Sequence, residues 1–490
     1  MPLYEDEHHI LVRELYSMNY QEALAYLYSL SDFERGGPYT RNPEENLPRE
    51  AWLLEHLGNP QQDYSSTLIA GTKGKGSTAV LIEQVLRQAG LRTGLYTQPD
   101  LHTFRERIRV NGRLISESEA AELLTEIRAV IEHIQEQGTF GPFITYEVAT
   151  ALALLYFSRR RIDHAVLEVG LGGRLDATNV TQPLVSVITS ISYDHMQILG
   201  NTLTQIATEK AGIIKPHGIV VSSAQSPEAL LAIAAICRER QAQLVRTGPA
   251  EFDAAQAEVE AGQLPALSYS YRLEKRSGEG QYFTVWTPER TYRGLTIPLA
   301  GQYQLENATA ALATLDMLRK QGIKWDEAAL RAGFLAARWP ARIDVIGQNP
   351  TIVVDGAHNA DSMQKLMQAL RDSFTFHRLI VVLGAARDKD LVGIAEALKD
   401  VDTVVLTRMA NPRAATIEQM EAVFAEYAPH VSIYRASVSS QAMNLALDLA
   451  ETNDLICATG SLYLAGEVLR WAAAHGNKRI AATIEGVDHK

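Results

Sequence analysis

The sequence predicts an α/β protein in two parts, a larger N-terminal domain and a smaller C-terminal one, each on a mostly parallel sheet. Three observations carry this. Short runs rich in Val, Ile and Leu alternate with helical runs along most of the chain, as in sheets covered on both faces. At 490 residues the chain is too long for one ordinary core. Between about 265 and 298, aromatic or branched residues alternate with polar ones, which marks a small antiparallel insertion.

The elements follow in order. The first 60 residues read as helical (YQEALAYLYSL, then REAWLLEHLG), joined by the polar GGPYTRNPEEN. STLIA is a strand, and GTKGKG leads from it into the amphipathic STAVLIEQVLRQAG, which Ser77 opens and whose last glycine is a helix stop. RTGLYT is the next strand. Helices are predicted over 116–137 and 145–159, and HAVLEVG and PLVSVITSI are apolar strands. IVVSSA and QLVRTG continue the pattern, and helices follow over 304–320 and through DEAALRAGFLAAR. Pro340 then breaks helical periodicity, and TIVVDGAHN, RLIVVLGA, DTVVLT and NDLICATG form a second α/β unit. The boundary falls there, giving domains 1–343 and 344–490.

Composition excludes several classes. The net charge is -12, with no dense basic surface of the kind nucleic acid requires. The run Arg159-Arg160-Arg161 ends an apolar helix, where cations complement the carbonyl end of the dipole. No apolar run is long enough for a membrane span, and the N-terminus MPLYEDEHHI carries acids where a signal peptide needs bases. A cytoplasmic protein is expected, and a monomer. Cys237 and Cys457 sit in apolar surroundings and read as buried free thiols.

Three segments carry chemistry. In AGTKGKGS, residues 70–77, glycines Gly71, Gly74 and Gly76 let backbone N–H groups turn toward an anion at a helix N-terminus. Thr72, Lys73, Lys75 and Ser77 complete the loop, with Lys75 reaching the β- and γ-phosphates of ATP. The general pattern GxxxxGK[ST] is not met, since Ile69 stands at its first glycine and Gly76 follows the lysine. In EVGLGGRLDATNV, Glu168 ends a strand, well placed to hold magnesium or a water. Arg174 and Asp176 read there as a candidate ion pair shaping the loop. In ITSISYDHMQILG and TEKAGIIKP, Asp194 and His195 lie beyond another strand, and Lys210 begins the last turn of a helix ending near Pro216.

AGTKGKGS, FRERIRVNG, EVGLGGRLDATNV, the DH pair, EKAGIIK, QLENA, WPAR and VVDGAHN together resemble, in order, the folylpolyglutamate synthase family of the Mur ligase superfamily. The resemblance spans nearly the whole chain. It implies a P-loop-type ATPase domain followed by a Rossmann-like domain, and ATP-dependent ligation of L-glutamate to a folate or to dihydropteroate. It implies magnesium at two sites, with Glu168, His195 and Gln98 as ligands and Lys210 carbamylated to serve the second. It places Gln304, Asn307 and Arg342 at the nucleotide, Asp355 and His358 at the catalytic cleft with Asp355 also near the nucleotide, and Arg105, Ser461 and Tyr463 at the substrates.

The chain departs from the family's pattern at several points. Gln98 stands where a serine is usual in TSPHL, and Asp100 adds charge to the same loop. Tyr303 replaces a histidine, Ala341 a glycine, and Lys73 an asparagine. Two other readings fit the same residues. One is a related ligase with a non-folate carboxylate acceptor, suggested by Gln98 and Asp100. The other is a nucleotide-binding protein without ligase activity, against which Lys75, Glu168, His195 and Lys210 argue.

Overall fold

The computed structural model describes residues 17–31, 43–136, 138, 140–277 and 280–485. Two sheets organise it. The first has eleven strands in the order β11-β10-β9-β8-β7-β6-β1-β5-β2-β3-β4. Its members are β1 Ser65–Ala70, β2 Thr93–Tyr96, β3 Ile108–Val110, β4 Arg113–Leu114, β5 His164–Glu168 and β6 Val185–Ile188. The rest are β7 Ile219–Ser222, β8 Gln243–Pro249, β9 Leu267–Ser277, β10 Gly280–Trp286 and β11 Thr291–Ile297.

From β9 through β2 every neighbouring pair is parallel, and antiparallel strands finish both edges. The insertion foreseen at 265–298 is therefore one end of the main sheet, because β9 pairs parallel with β8. β1, β5 and β6 are almost wholly buried, since helices cover both faces; this explains their unbroken apolar runs. On one face Val85 and Leu86 of helix Lys75–Gln88 share a core with Leu312 and Leu315 of helix Tyr303–Lys320. On the other, helices Glu117–Glu136 and Thr145–Arg159 supply Ile127, Ile131, Leu152 and Phe157.

The second sheet has six strands, β12 Asp344–Gly347, β13 Thr351–Val354, β14 Leu379–Leu383, β15 Thr403–Thr407, β16 Ser432–Ala436 and β17 Leu455–Thr459. Their order is β12-β13-β17-β14-β15-β16, parallel except for β12. Cys237 and Cys457 are buried and free.

Several local expectations need correction. Helix Lys75–Gln88 begins two residues before Ser77. Gly74 caps it at φ 91, a left-handed conformation that glycine adopts without strain. The helix carrying Lys210 spans Leu203–Ala211 and stops well short of Pro216, with Gly212 as its cap. β16 was not foreseen: Ser, Tyr and Arg make SIYRA look like surface, and it is an edge strand. Most of the joint predicted at 36–46 lies outside the described residues.

Candidate active site

β1 lies between β5 and β6, so the chain reverses its direction of travel across the sheet at β1. Loops leaving the carboxyl ends of these three strands must converge there, the usual ligand crevice of such sheets. Residues 71–74 follow β1, residues 169–176 follow β5, and residues 189–195 follow β6.

The first and third loops are stitched together. Thr72 donates its N–H to the Ser190 carbonyl at 2.8 Å and its hydroxyl to the Ser192 carbonyl at 3.1 Å. Ser190 donates its hydroxyl to the Lys73 carbonyl at 3.1 Å. A Cβ on Gly74 would stand 2.3 Å from Asn307 Oδ1, so only glycine lets the loop lie against helix Tyr303–Lys320. Gly76 likewise abuts Trp339 and Glu168. Gln304 Oε1 accepts from Asn307 Nδ2 at 2.9 Å, while Gln304 Nε2 is buried without a partner.

Three lysines surround this loop. Lys75 Nζ donates to the Gly71 carbonyl at 3.2 Å and stands 4.0 Å from Glu168 Oε1. Lys210 Nζ donates to the same carbonyl at 2.9 Å, and Lys73 Nζ pairs with Asp194 Oδ2 at 3.4 Å. Burial first, and then the Lys75 charge, push the Lys210 amine down from 10.5 to about 7. His195 is held below its usual range by burial, against the opposing pull of Asp194. Its side chain is half exposed and starts the turn Met196–Leu199 at φ 48.

Glu168 Oε2 accepts the Gln98 N–H at 3.2 Å, and Gln98 Oε1 is buried without a partner. Among the described residues, no three histidine, cysteine or carboxylate side chains stand together as a ready metal cage. A magnesium ion prefers several phosphate and water ligands with few from protein, so an incomplete set is compatible with it. The orphaned Gln98 oxygen beside Glu168 has the right chemistry for one such ligand.

A cavity of about 310 Å³ opens beside this cluster, lined by Gln98, Arg107, Tyr146, the 170–177 loop, His195 and Glu209 among others. Asp176 shapes its floor. Asp176 accepts the N–H groups of Gly170, Leu171 and Thr178 at 3.0 to 3.1 Å and the Tyr146 hydroxyl at 3.0 Å. The expected Arg174–Asp176 pair is absent from this network. Arg174 instead pairs with Glu209 at 3.1 Å and Glu44 at 3.0 Å, because Asp176 is already saturated by local donors. Arg105 is bound to Glu117 at 3.4 Å and is not among the lining residues; the arginine of FRERI that lines the cavity is Arg107, two residues on. Arg107 pairs with Asp100 at 2.5 Å. Tyr146 and Arg107 were missed by sequence reasoning, although FRERI signalled a cation-rich turn.

Across the cleft, Asp355 follows β13. Its two oxygens accept from the Ile343 and Ala357 N–H groups at 2.9 and 2.8 Å, so it pins the linker between the sheets. Burial raises its carboxyl above the usual range, against the lowering pull of Arg342 and these bonds. Each oxygen thus holds one backbone N–H of the linker region and keeps a further lone pair. Arg342 donates to the Ala341 carbonyl at 2.9 Å. His358 Nδ1 lies 2.9 Å from the Gly356 carbonyl and must carry the proton, which leaves Nε2 as acceptor. Ser461 caps helix Leu462–Ala474 by accepting the Tyr463 N–H at 3.1 Å, and the Tyr463 side chain is exposed.

Residues 69–315 match the Mur ligase middle domain and residues 341–462 the Mur ligase glutamate ligase domain. The folylpolyglutamate synthase of Lacticaseibacillus casei is 36% identical over 456 residues, 92% of this chain and 98% of its own length. The chain belongs to the folylpolyglutamate synthase and dihydrofolate synthase family of Mur ligases. A Bacillus subtilis member named dihydrofolate synthase/folylpolyglutamate synthase is 31% identical over 455 residues, 92% of this chain and 98% of the relative. An Escherichia coli member solved in complex with DHPP and ADP superimposes with a TM-score of 0.78 at 28% identity, over 94% of this chain and 99% of that one. The family's glycine-rich loop is thus built here on β1, with its lysine in the first turn of the following helix.

Proposed function

We propose that the chain ligates L-glutamate to a folate with ATP, and that it also accepts dihydropteroate. One juxtaposition carries this reading: the lysine-ringed phosphate loop lies beside a cavity large enough for a bicyclic acceptor, with Gln98 and His195 in the cavity lining and Glu168 between the Gln98 N–H and Lys75. The same reading divides the chain into 1–343 and 344–490, supported by the separate sheets and by the two matched families. ATP use and buried free thiols fit a cytoplasmic enzyme acting as a monomer.

The acceptor's carboxylate attacks the γ-phosphorus of ATP, giving an acyl phosphate and ADP. The glutamate amine then attacks the acyl carbon, and phosphate leaves. Lys75 neutralises charge on the transferring group, and the N–H groups of Gly74 to Ser77 orient the phosphates. Gln304, Asn307 and Arg342 hold the nucleotide. Magnesium, when bound, adds charge neutralisation; Gln98, Glu168 and His195 supply its protein ligands. Lys210 has the property carbamylation needs. An amine titrating near 7 is substantially neutral and nucleophilic, and with carbon dioxide it yields a carbamate and one proton. That converts a buried cation into a two-oxygen metal ligand. Arg107 and Tyr146 meet the acceptor, while Ser461 and His358 face the incoming glutamate.

The Asp100–Arg107 pair favours one second reading, in which the acceptor is a different carboxylate, because it removes positive charge from the cavity wall. ADP release with dihydropteroate, reduced folates and unrelated carboxylates side by side separates the two. Glutamate-dependent release confined to the pterins supports the first reading, and release confined to other carboxylates refutes it.

A further inference from the structure

The segment from Gln98 to Arg107 carries acceptor-cavity residues at both ends, and its middle touches the other domain. Leu101 packs against the core cluster of the second sheet. The His102 ring is almost fully buried, with Nδ1 at 3.1 Å from Glu106 Oε1 and Nε2 at 2.9 Å from the Gly466 carbonyl. Gly466 lies within helix Leu462–Ala474, where glycine is less favourable than alanine. The close approach explains its presence: a Cβ there would stand 2.7 Å from the Leu101 carbonyl oxygen.

Both ring contacts of His102 are to oxygens that only accept. A neutral imidazole has one N–H, and would aim a lone pair at either the carboxylate or the carbonyl. The geometry calls for protons on both nitrogens. Glu106 is suited to face that cation. Burial opposes its ionisation, but bonds from His102, Leu101 and Thr103 outweigh burial and hold the carboxyl below its usual range. Other charges nearby are engaged elsewhere. Asp100 and Arg107 pair with each other, and Glu467, on the helix, accepts the Ala410 N–H at 2.7 Å.

We propose that His102, protonated on both ring nitrogens, is a positioning residue that fastens the acceptor loop to the C-terminal domain at Gly466. Acceptor binding and seating of that domain over the cleft are thereby coupled. The inference rests on the reading of the 98–107 segment as the acceptor loop.

The test is initial-rate kinetics of the wild type, His102→Gln, Gly466→Ala and Arg107→Ala, with folate and ATP varied separately. His102→Gln and Gly466→Ala should each raise the KM for folate about fivefold or more while leaving the KM for ATP within about twofold. Gly466→Ala favours its own helix but drives a Cβ against the Leu101 carbonyl, so a native circular dichroism spectrum should accompany its kinetics. Unchanged folate KM in both variants, with Arg107→Ala still raising folate KM, would overturn the fastening alone. If Arg107→Ala also leaves folate KM unchanged, the acceptor-loop reading fails and the coupling with it.

Discussion

Lys75 and Lys210 donate to one acceptor, the Gly71 carbonyl oxygen, at 3.2 and 2.9 Å. Burial above all disfavours the Lys210 charge, and repulsion from the Lys75 ammonium adds to it, so Lys210 is pushed down to about 7. The Gly71 carbonyl is therefore shared by Lys75 and by an amine poised for modification.

Lys210→Ala should lose most activity and regain part of it with added short carboxylic acids, which mimic the carbamate. Activity of the wild type should fall in carbon-dioxide-free buffer and return with bicarbonate. An active variant insensitive to both treatments would argue against the carbamate.

The same lysine gives stability a pH dependence. Between about 7 and 10.5 the unfolded chain holds a proton on Lys210 that the folded chain has released. Stability of the carbon-dioxide-free enzyme should therefore rise with pH across that window, and Lys210→Met should remove this contribution. Denaturant midpoints measured at several pH values check the sign.

Lys75→Ala should lower kcat by roughly 10²- to 10³-fold or more, since it removes charge stabilisation realised on the transferring phosphoryl group. Single-turnover ADP formation reads this directly.

Asp176 holds five backbone and side-chain donors, the Thr178 hydroxyl among them, in a fully buried network. Asp176→Ala strands them and should cost about 2–4 kcal/mol in denaturant unfolding. The cavity floor should loosen too, raising folate KM more than ATP KM.

Gln98→Ala removes the orphaned oxygen beside Glu168 and should raise the magnesium concentration for half-maximal rate about tenfold. Gln98→Ser should recover part of the loss through a bound water or hydroxyl.

Much of this was legible in the chain. Strands buried on both faces announce themselves as apolar runs, and Gly71, Gly74, Lys75, Glu168 and Lys210 stand at element ends that periodicity marks. What escaped depends on partners distant in sequence. Arg174 finds Glu44 and Glu209 and leaves Asp176 to backbone donors, a choice made by packing. Asp355 spends its oxygens on the linker backbone, which no motif reveals. His102 meets Gly466 across 364 residues, and neither residue carries a pattern that names the other. Helix Lys75–Gln88 starts early because Gly74 adopts φ 91, a backbone fact that composition alone leaves open.

The central claim, that ATP activates an acceptor carboxylate for attack by glutamate, is tested most directly by isotope transfer. The enzyme is given a reduced folate bearing oxygen-18 in its γ-carboxylate, with ATP, magnesium and glutamate, and both products are weighed by mass spectrometry. The account predicts inorganic phosphate carrying one oxygen-18 and a folate extended by glutamate. Unlabelled phosphate, or ADP release without an extended folate, would contradict it.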